Sequence, residues 1–173
     1  MKAAWIGILL SQFILFSFSN NRLNINDNQL NKTINSDSIP QLNQQIVSFV
    51  SAHLKQKVGR GECWDLAAQP LNESGAIWDK EYRYGKVVDY RRDSIYPGDI
   101  IQFEGVEIKK VIGNMTIMSN LEHHTAVIYE VQGKGQYIIA HQNTSDFGRK
   151  VGLSELDLSN ILRGSFTIYR PYK

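Results

Sequence analysis

Apolar residues recur three and four positions apart in one early stretch, and the period shortens further along the chain. In "PQLNQQIVSFVSAHLKQKVG", Leu42, Ile46, Phe49, Val50 and Leu54 fall at near-helical spacing, with Pro40 at the front and Gly59 as the stop. His53 is expected on the polar face or boundary of this helix. A second helix is predicted from about Cys63 to Asn72, stopped by Pro70 or by "NESG". Then "GDIIQFEGVEIKKVIG", "HHTAVIYEVQG", "KGQYIIAHQN" and "RGSFTIYRP" follow as short β-rich runs punctuated by Gly, Pro and Asn. "VQGKGQ" reads as a hairpin turn between two of them. Helices followed by a run of antiparallel strands make an α+β fold, with N-terminal helices packed on an antiparallel sheet.

The residues before this pattern differ in kind. "MKAAWIGILLSQFILFSFSN" has a lysine, an apolar run and small residues at Ser17 and Ser19, the layout of a secretory signal over residues 1–19. An uncleaved anchor is the competing reading, and Ser11 and Gln12 interrupt the run against it. Residues 20–38 are rich in Asn, Asp and Ser, and too poor in large apolar side chains to offset the entropy of ordering them. A disordered linker is expected there and one domain over 39–173. The expected location is secreted or periplasmic, with no stable membrane insertion after signal cleavage. The net charge of +2 and the absence of a basic run argue against nucleic acid as a partner. The chain is expected to be a monomer. No glycine-rich phosphate loop, CxxC pair or HExxH helix is present, and no cofactor is expected.

Cys63 is the one cysteine, and in an oxidising compartment an unpaired thiol needs a reason. Gly59 and Gly61 let the backbone turn into a helix that starts at or near Cys63. A thiol there meets the positive end of the helix dipole and free N–H groups, which favour thiolate and could also stabilise an oxyanion. A buried structural cysteine is the plainer alternative. A base could come from "LEHHTAVIYEV". Adjacent strand residues face opposite ways, and His124 shares its parity with Ala126 and Ile128, which look inward-facing. His123 would then face the other side or lie in the turn. Pairing through "VQGKGQ" brings His124 level with His141–Asn143, where a polar side chain could orient its ring.

These motifs resemble the papain-like superfamily that holds the NlpC-type peptidases and the CHAP amidohydrolase/peptidases. "GECWDLA" is similar to the CHAP cysteine motif, "YPGDIIQF" to the strand opening of both families, "HTAVIYEV" to the base strand and "AHQN" to the orienting strand. A likeness over nearly the whole domain, adding "TIYRP", is to the cysteine-proteinase-fold domain of fungal myosin tail region-interacting proteins. The resemblance implies Cys63 as nucleophile, His124 as general base, His141 as the orienting residue and Asn143 as an auxiliary polar group. Glu62 departs from the glutamine of many CHAP members, and a carboxylate beside the thiol opposes thiolate unless paired or turned away.

Three functions compete. One is a secreted cysteine hydrolase cutting an amide bond, with peptidoglycan or a peptide as substrate, through thiolate attack and a thioester. Another is a catalytically inactive binding module on the same fold, suggested by Glu62 and by the intracellular scaffolds to which the fungal domains belong. A metal site from Cys63, His124 and His141 lacks the short paired spacing of structural zinc. "NKT", "NES", "NMT" and "NTS" fit the glycosylation pattern, which an Asn-rich chain also yields by chance.

Overall fold

The computed structural model describes residues 39–173. The expected signal and linker lie outside the described residues. Helix α1 (Gln41–Ala52) buries Leu42, Ile46 and Val50 of the expected stripe, but it ends at Ala52, short of the expected stop at Gly59, and Leu54 lies beyond it in a bridge to Val151. His53 caps its end at the boundary, with Nδ1 on the Phe49 carbonyl at 2.8 Å and its ring stacked on Phe49. Helix α2 (Cys63–Glu73) begins where the sequence predicts but runs through Pro70. The buried proline costs the last turn one N–H donor, and the helix closes where the Ser74 amide reaches the Pro70 carbonyl.

The strands are β1 (Lys86–Val88), β2 (Ile100–Ile112), β3 (Met115–Gly133), β4 (Gln136–His141), β5 (Gly152–Asp157) and β6 (Ile161–Arg170). They form one antiparallel sheet in the order β1-β6-β2-β3-β4-β5. Sheet dominates and helices are few. The expected hairpin turn joins β3 to β4, where Gly133 pairs with Gln136. Strand β3 starts eight residues before the "HHTAV" run, because the added segment is largely exposed and carries no burial pattern to read.

Both faces of the sheet are buried. Ile100, Val127 and Ala140 share a cluster with Ile46 and Val50 of α1 and with Leu66, Ala67 and Leu71 of α2. Ile101, Phe103, Ala126, Ile128 and Ile139 belong to a second cluster with Tyr137, Leu156 and Ile168. Alternation along each strand thus divides it between two cores.

The Pro-Gly-Asp opening of β2 locks α1 to the sheet. Gly98 has φ 87, and a Cβ there would lie 2.4 Å from the Asn43 carbonyl oxygen, so no side chain fits. Asp99 is fully buried and accepts from Asn43 Nδ2 (2.8 Å), the Tyr96 amide (2.9 Å) and Arg170 Nη2 (2.7 Å).

Candidate functional site

The turn into α2 is built around Asp65. Its carboxylate accepts from the Arg60 amide at 2.8 Å and the Glu62 amide at 3.1 Å, and pairs with the Arg60 guanidinium. Gly59 (φ 56) and Gly61 (φ 90) make that path possible. A Cβ on Gly59 would meet Asp65 Cγ at 2.9 Å, and one on Gly61 would meet Arg149 Cβ at 2.7 Å. Cys63 emerges from this turn partly exposed, at the first residue of the helix.

Gln142 ties the turn to the end of β4. It is fully buried; Oε1 accepts from the Val58 amide at 3.1 Å, and Nε2 donates to the carbonyls of Val58 and Glu62 at 3.0 and 2.8 Å. Sequence reasoning passed over this residue; its position between His141 and Asn143 was the available signal. Replacing Gln142 by Ala strands a buried amide and its carbonyl partners. The expected loss is about 2–4 kcal/mol, read as a lower denaturation midpoint with unchanged m-value.

Glu62 does not confront the thiol alone. It accepts from Asn143 Nδ2 at 2.7 Å and pairs with Arg149 at 3.3 Å. Asn143, at φ 61, therefore serves Glu62: its side-chain hydrogen bond goes there and not to His124.

The structure does bring His124 and His141 together. His124 Nε2 and His141 Nδ1 are 3.1 Å apart, and His141 Nε2 lies 2.9 Å from Ser154 Oγ. When His124 donates to His141 and His141 to the serine, Nδ1 of His124 is left with a lone pair. Nδ1 has no hydrogen-bond partner among the described residues, and it is not among their sealed, unsatisfied atoms. Burial, then the neighbouring His123, pushes His124 down to about 4. Burial, then His124, pushes His141 down to about 3. Both rings are neutral at pH 7.

Cys63 is not hydrogen-bonded to either ring. Among the described residues its one hydrogen-bonding contact is to the His123 carbonyl oxygen, 4.0 Å from Sγ. The register explains this. His124 lies opposite Phe103 and takes the face of the second cluster, whereas α2 packs on the face of Ile100 and Val127. Parity picks out the buried residues of a sheet with one inward face, and this sheet has two. His123 lies opposite Glu104 and shares the helix-side face with Thr125. Its Nδ1 is 2.8 Å from Glu104 Oε2, and the exposed Tyr82 ring stands edge-on to it at 4.3 Å. Behind this pair, Gln102 bonds Glu104 and accepts from Thr125, whose hydroxyl meets buried Tyr84 at 2.8 Å. Desolvation raises the Tyr84 phenol well above its ordinary value. The sequence places His123 on the other side from His124 or in the turn, and it does lie on the opposite face, the one that carries the thiol; Glu104 and Tyr82 were missed from sequence. Among the described residues no three His, Cys, Asp or Glu side chains converge as a metal site.

A family model described as the AIM3/BBC1 cysteine proteinase-fold domain matches residues 31–173, which include every residue of this site. The chain belongs to this family. The AIM3/BBC1 domain is also similar to "Altered inheritance of mitochondria protein 3" of Debaryomyces hansenii, 31% identical over 147 residues. That match covers 74% of this chain and 16% of the relative, so the chain spans a small part of that protein's length. Among solved structures, that of Ly7917 matches 73% of this chain and 62% of its own at 16% identity, with a TM-score of 0.43. The family's description names a fold, and it leaves open the use this AIM3/BBC1 domain makes of Cys63.

Proposed function

We propose that this domain is a binding module on a papain-like cysteine proteinase fold, holding an extended peptide against the surface formed by the start of α2 and the stretch of β3 around His123. The observation that carries this reading is the separation of thiol from imidazole pair. Sγ contacts a carbonyl, while His124 and His141 bond to each other and carry no charge at pH 7. An ion-paired nucleophile needs the opposite arrangement. The surface offers features that suit peptide recognition: exposed Tyr82, a half-exposed His123–Glu104 pair and the partly buried Trp64 beside the thiol. The fungal domains resembled in sequence belong to scaffolds, which is consistent with a binding role.

A second reading is favoured by His123. With Nδ1 held by Glu104 on the thiol's side of the sheet, it is the better placed base for an amide hydrolase. The peptidoglycan substrate expected from the sequence finds no support in the family match and is not carried forward.

One experiment separates the readings: the rate of Cys63 alkylation by iodoacetamide from pH 5 to pH 9, in the wild type, His123→Ala and His124→Ala. The binding module predicts a profile that is the same in the wild type and in both histidine variants. Labelling that stays rapid at acid pH in the wild type, and is slowed by loss of one histidine, would establish an activated nucleophile and name its base.

A further inference from the structure

Strands β2 and β3 run on past the body of the sheet as a two-stranded arm. Strand β6 pairs with β2 no further than Ile108, so residues 109–118 pair with each other alone, and β4 joins β3 only from Val127, so among the described residues no strand covers the outer edge of residues 115–121. On this arm Val111, Ile112, Met115, Ile117 and Met118 are 43–63% exposed.

The outer edge of the arm is unguarded. From Met115 to Leu121, "MTIMSNL", there is no charged residue and no proline. Lysines, prolines and bulges are the usual devices that keep an exposed strand edge from pairing. Ile112 pairs with Met115 across a Gly113–Asn114 turn in which Gly113 takes φ 58, as the first position of a II′ turn requires. Ladder hydrogen bonds to β2 then fall at Met115, Ile117 and Ser119. The N–H and C=O groups of Thr116, Met118 and Asn120 point to the open edge.

We propose that this edge is a homodimer interface, in which two copies of the chain pair β3 with β3, antiparallel, about a two-fold axis at Met118. The segment is complementary to itself. With Met118 opposite Met118, Thr116 of each copy meets Asn120 of the other, and their outward backbone groups bond across the seam. On the opposite face Met115 meets Leu121 and Ile117 meets Ser119. No like charges are brought together, and the contact is isologous, so it closes at two copies. A bilayer fits the same apolar side chains less well, because it cannot satisfy the backbone groups of Thr116, Met118 and Asn120. This inference does not rest on the role of Cys63.

The test is sedimentation equilibrium on the full chain at micromolar to high-micromolar concentration. The wild type is expected to be a dimer. Met118→Lys sets two lysines face to face and Met118→Glu two glutamates, so each variant alone is expected to weaken the dimer at least about tenfold. An equimolar mixture of the two is expected to recover it, with lysine opposite glutamate. The N-terminal residues are the same in all samples, so they cannot produce this pattern. A wild type that stays monomeric overturns the proposal. So does a dimer indifferent to Met118→Lys, or a mixture that fails to associate while both variants keep the wild-type circular dichroism. Vesicles of phosphatidylcholine and phosphatidylserine that bind wild type and mixture alike, without a dimer, assign the arm to membrane and overturn it too.

Discussion

Lowering the pH from 7 to 4.5 should destabilise this domain through two buried histidines. His124 and His141 are neutral in the fold, at about 4 and about 3, against an ordinary value of 6.5. The sign follows from proton counting. Below 6.5 the unfolded chain takes up protons that the folded chain refuses, so stability present above 6.5 is lost as pH falls towards 4 and 3. For His124 the full loss is on the order of 3 kcal/mol; His141 titrates with it as a pair, so the two losses are not summed. The surface carboxylates of Glu104, Glu107 and Glu155 are all held below their ordinary 4.5, so their contribution fades only at lower pH. The window between 6.5 and 4.5 therefore belongs to the histidines. Urea midpoints across that range should fall steadily in the wild type and stay nearly level in a His124→Phe, His141→Leu double variant. Equal slopes in both would refute the assignment.

Replacing Asp99 by Ala is expected to cost about 3–5 kcal/mol, the largest effect of any single side chain described above. The carboxylate is fully buried and organises four donors: both nitrogens of Arg170 that face it, Asn43 Nδ2 and the Tyr96 amide. Alanine leaves the Arg170 guanidinium, itself three-quarters buried, without its counter-charge. Asp99→Asn keeps the shape and loses the charge, so it should fall between the wild type and Asp99→Ala. Differential scanning calorimetry should show a drop of at least about 10 °C for Asp99→Ala. A drop of a degree or two would mean that Arg170 finds solvent instead. By contrast Arg163 and Glu107 form an ion pair on the surface, and its loss should leave the transition unmoved.

Legibility followed burial. Leu42, Ile46 and Val50 recur at helical spacing because α1 buries one stripe and exposes the rest, so the helix itself could be read directly, but not its end: Leu54 is apolar because it packs beside the sheet beyond the helix, in a bridge to Val151. Cys63 as a helix start was legible for a similar reason: Gly59, Gly61 and Asp65 form a local turn within seven residues. The pairing of His124 with His141 was also legible, since a hairpin turn fixes which residues of two strands come level. The face of His124 was not. Choosing it needed to know that Ala126 and Val127 are both in cores, on opposite sides of one sheet. Asn143 was beyond reach too, because its partner Glu62 stands 81 positions away and no local pattern announces such a contact. The arm around Met118 was hidden by its exposure, which removes the alternation that marks a strand.

Gln142 has a kinetic meaning as well as a structural one. The turn that carries Cys63 is held by its own Asp65 and also by Gln142, 84 positions later than the Val58 amide it accepts from. Closing so long a loop carries an entropic penalty that is offset only when β3 and β4 are already paired. The environment of the thiol is thus completed only once the sheet beside it has assembled. A breach of that junction changes the surroundings of Cys63, so the rate at which the partly exposed thiol reacts with a small alkylating agent reports whether turn and sheet are still joined.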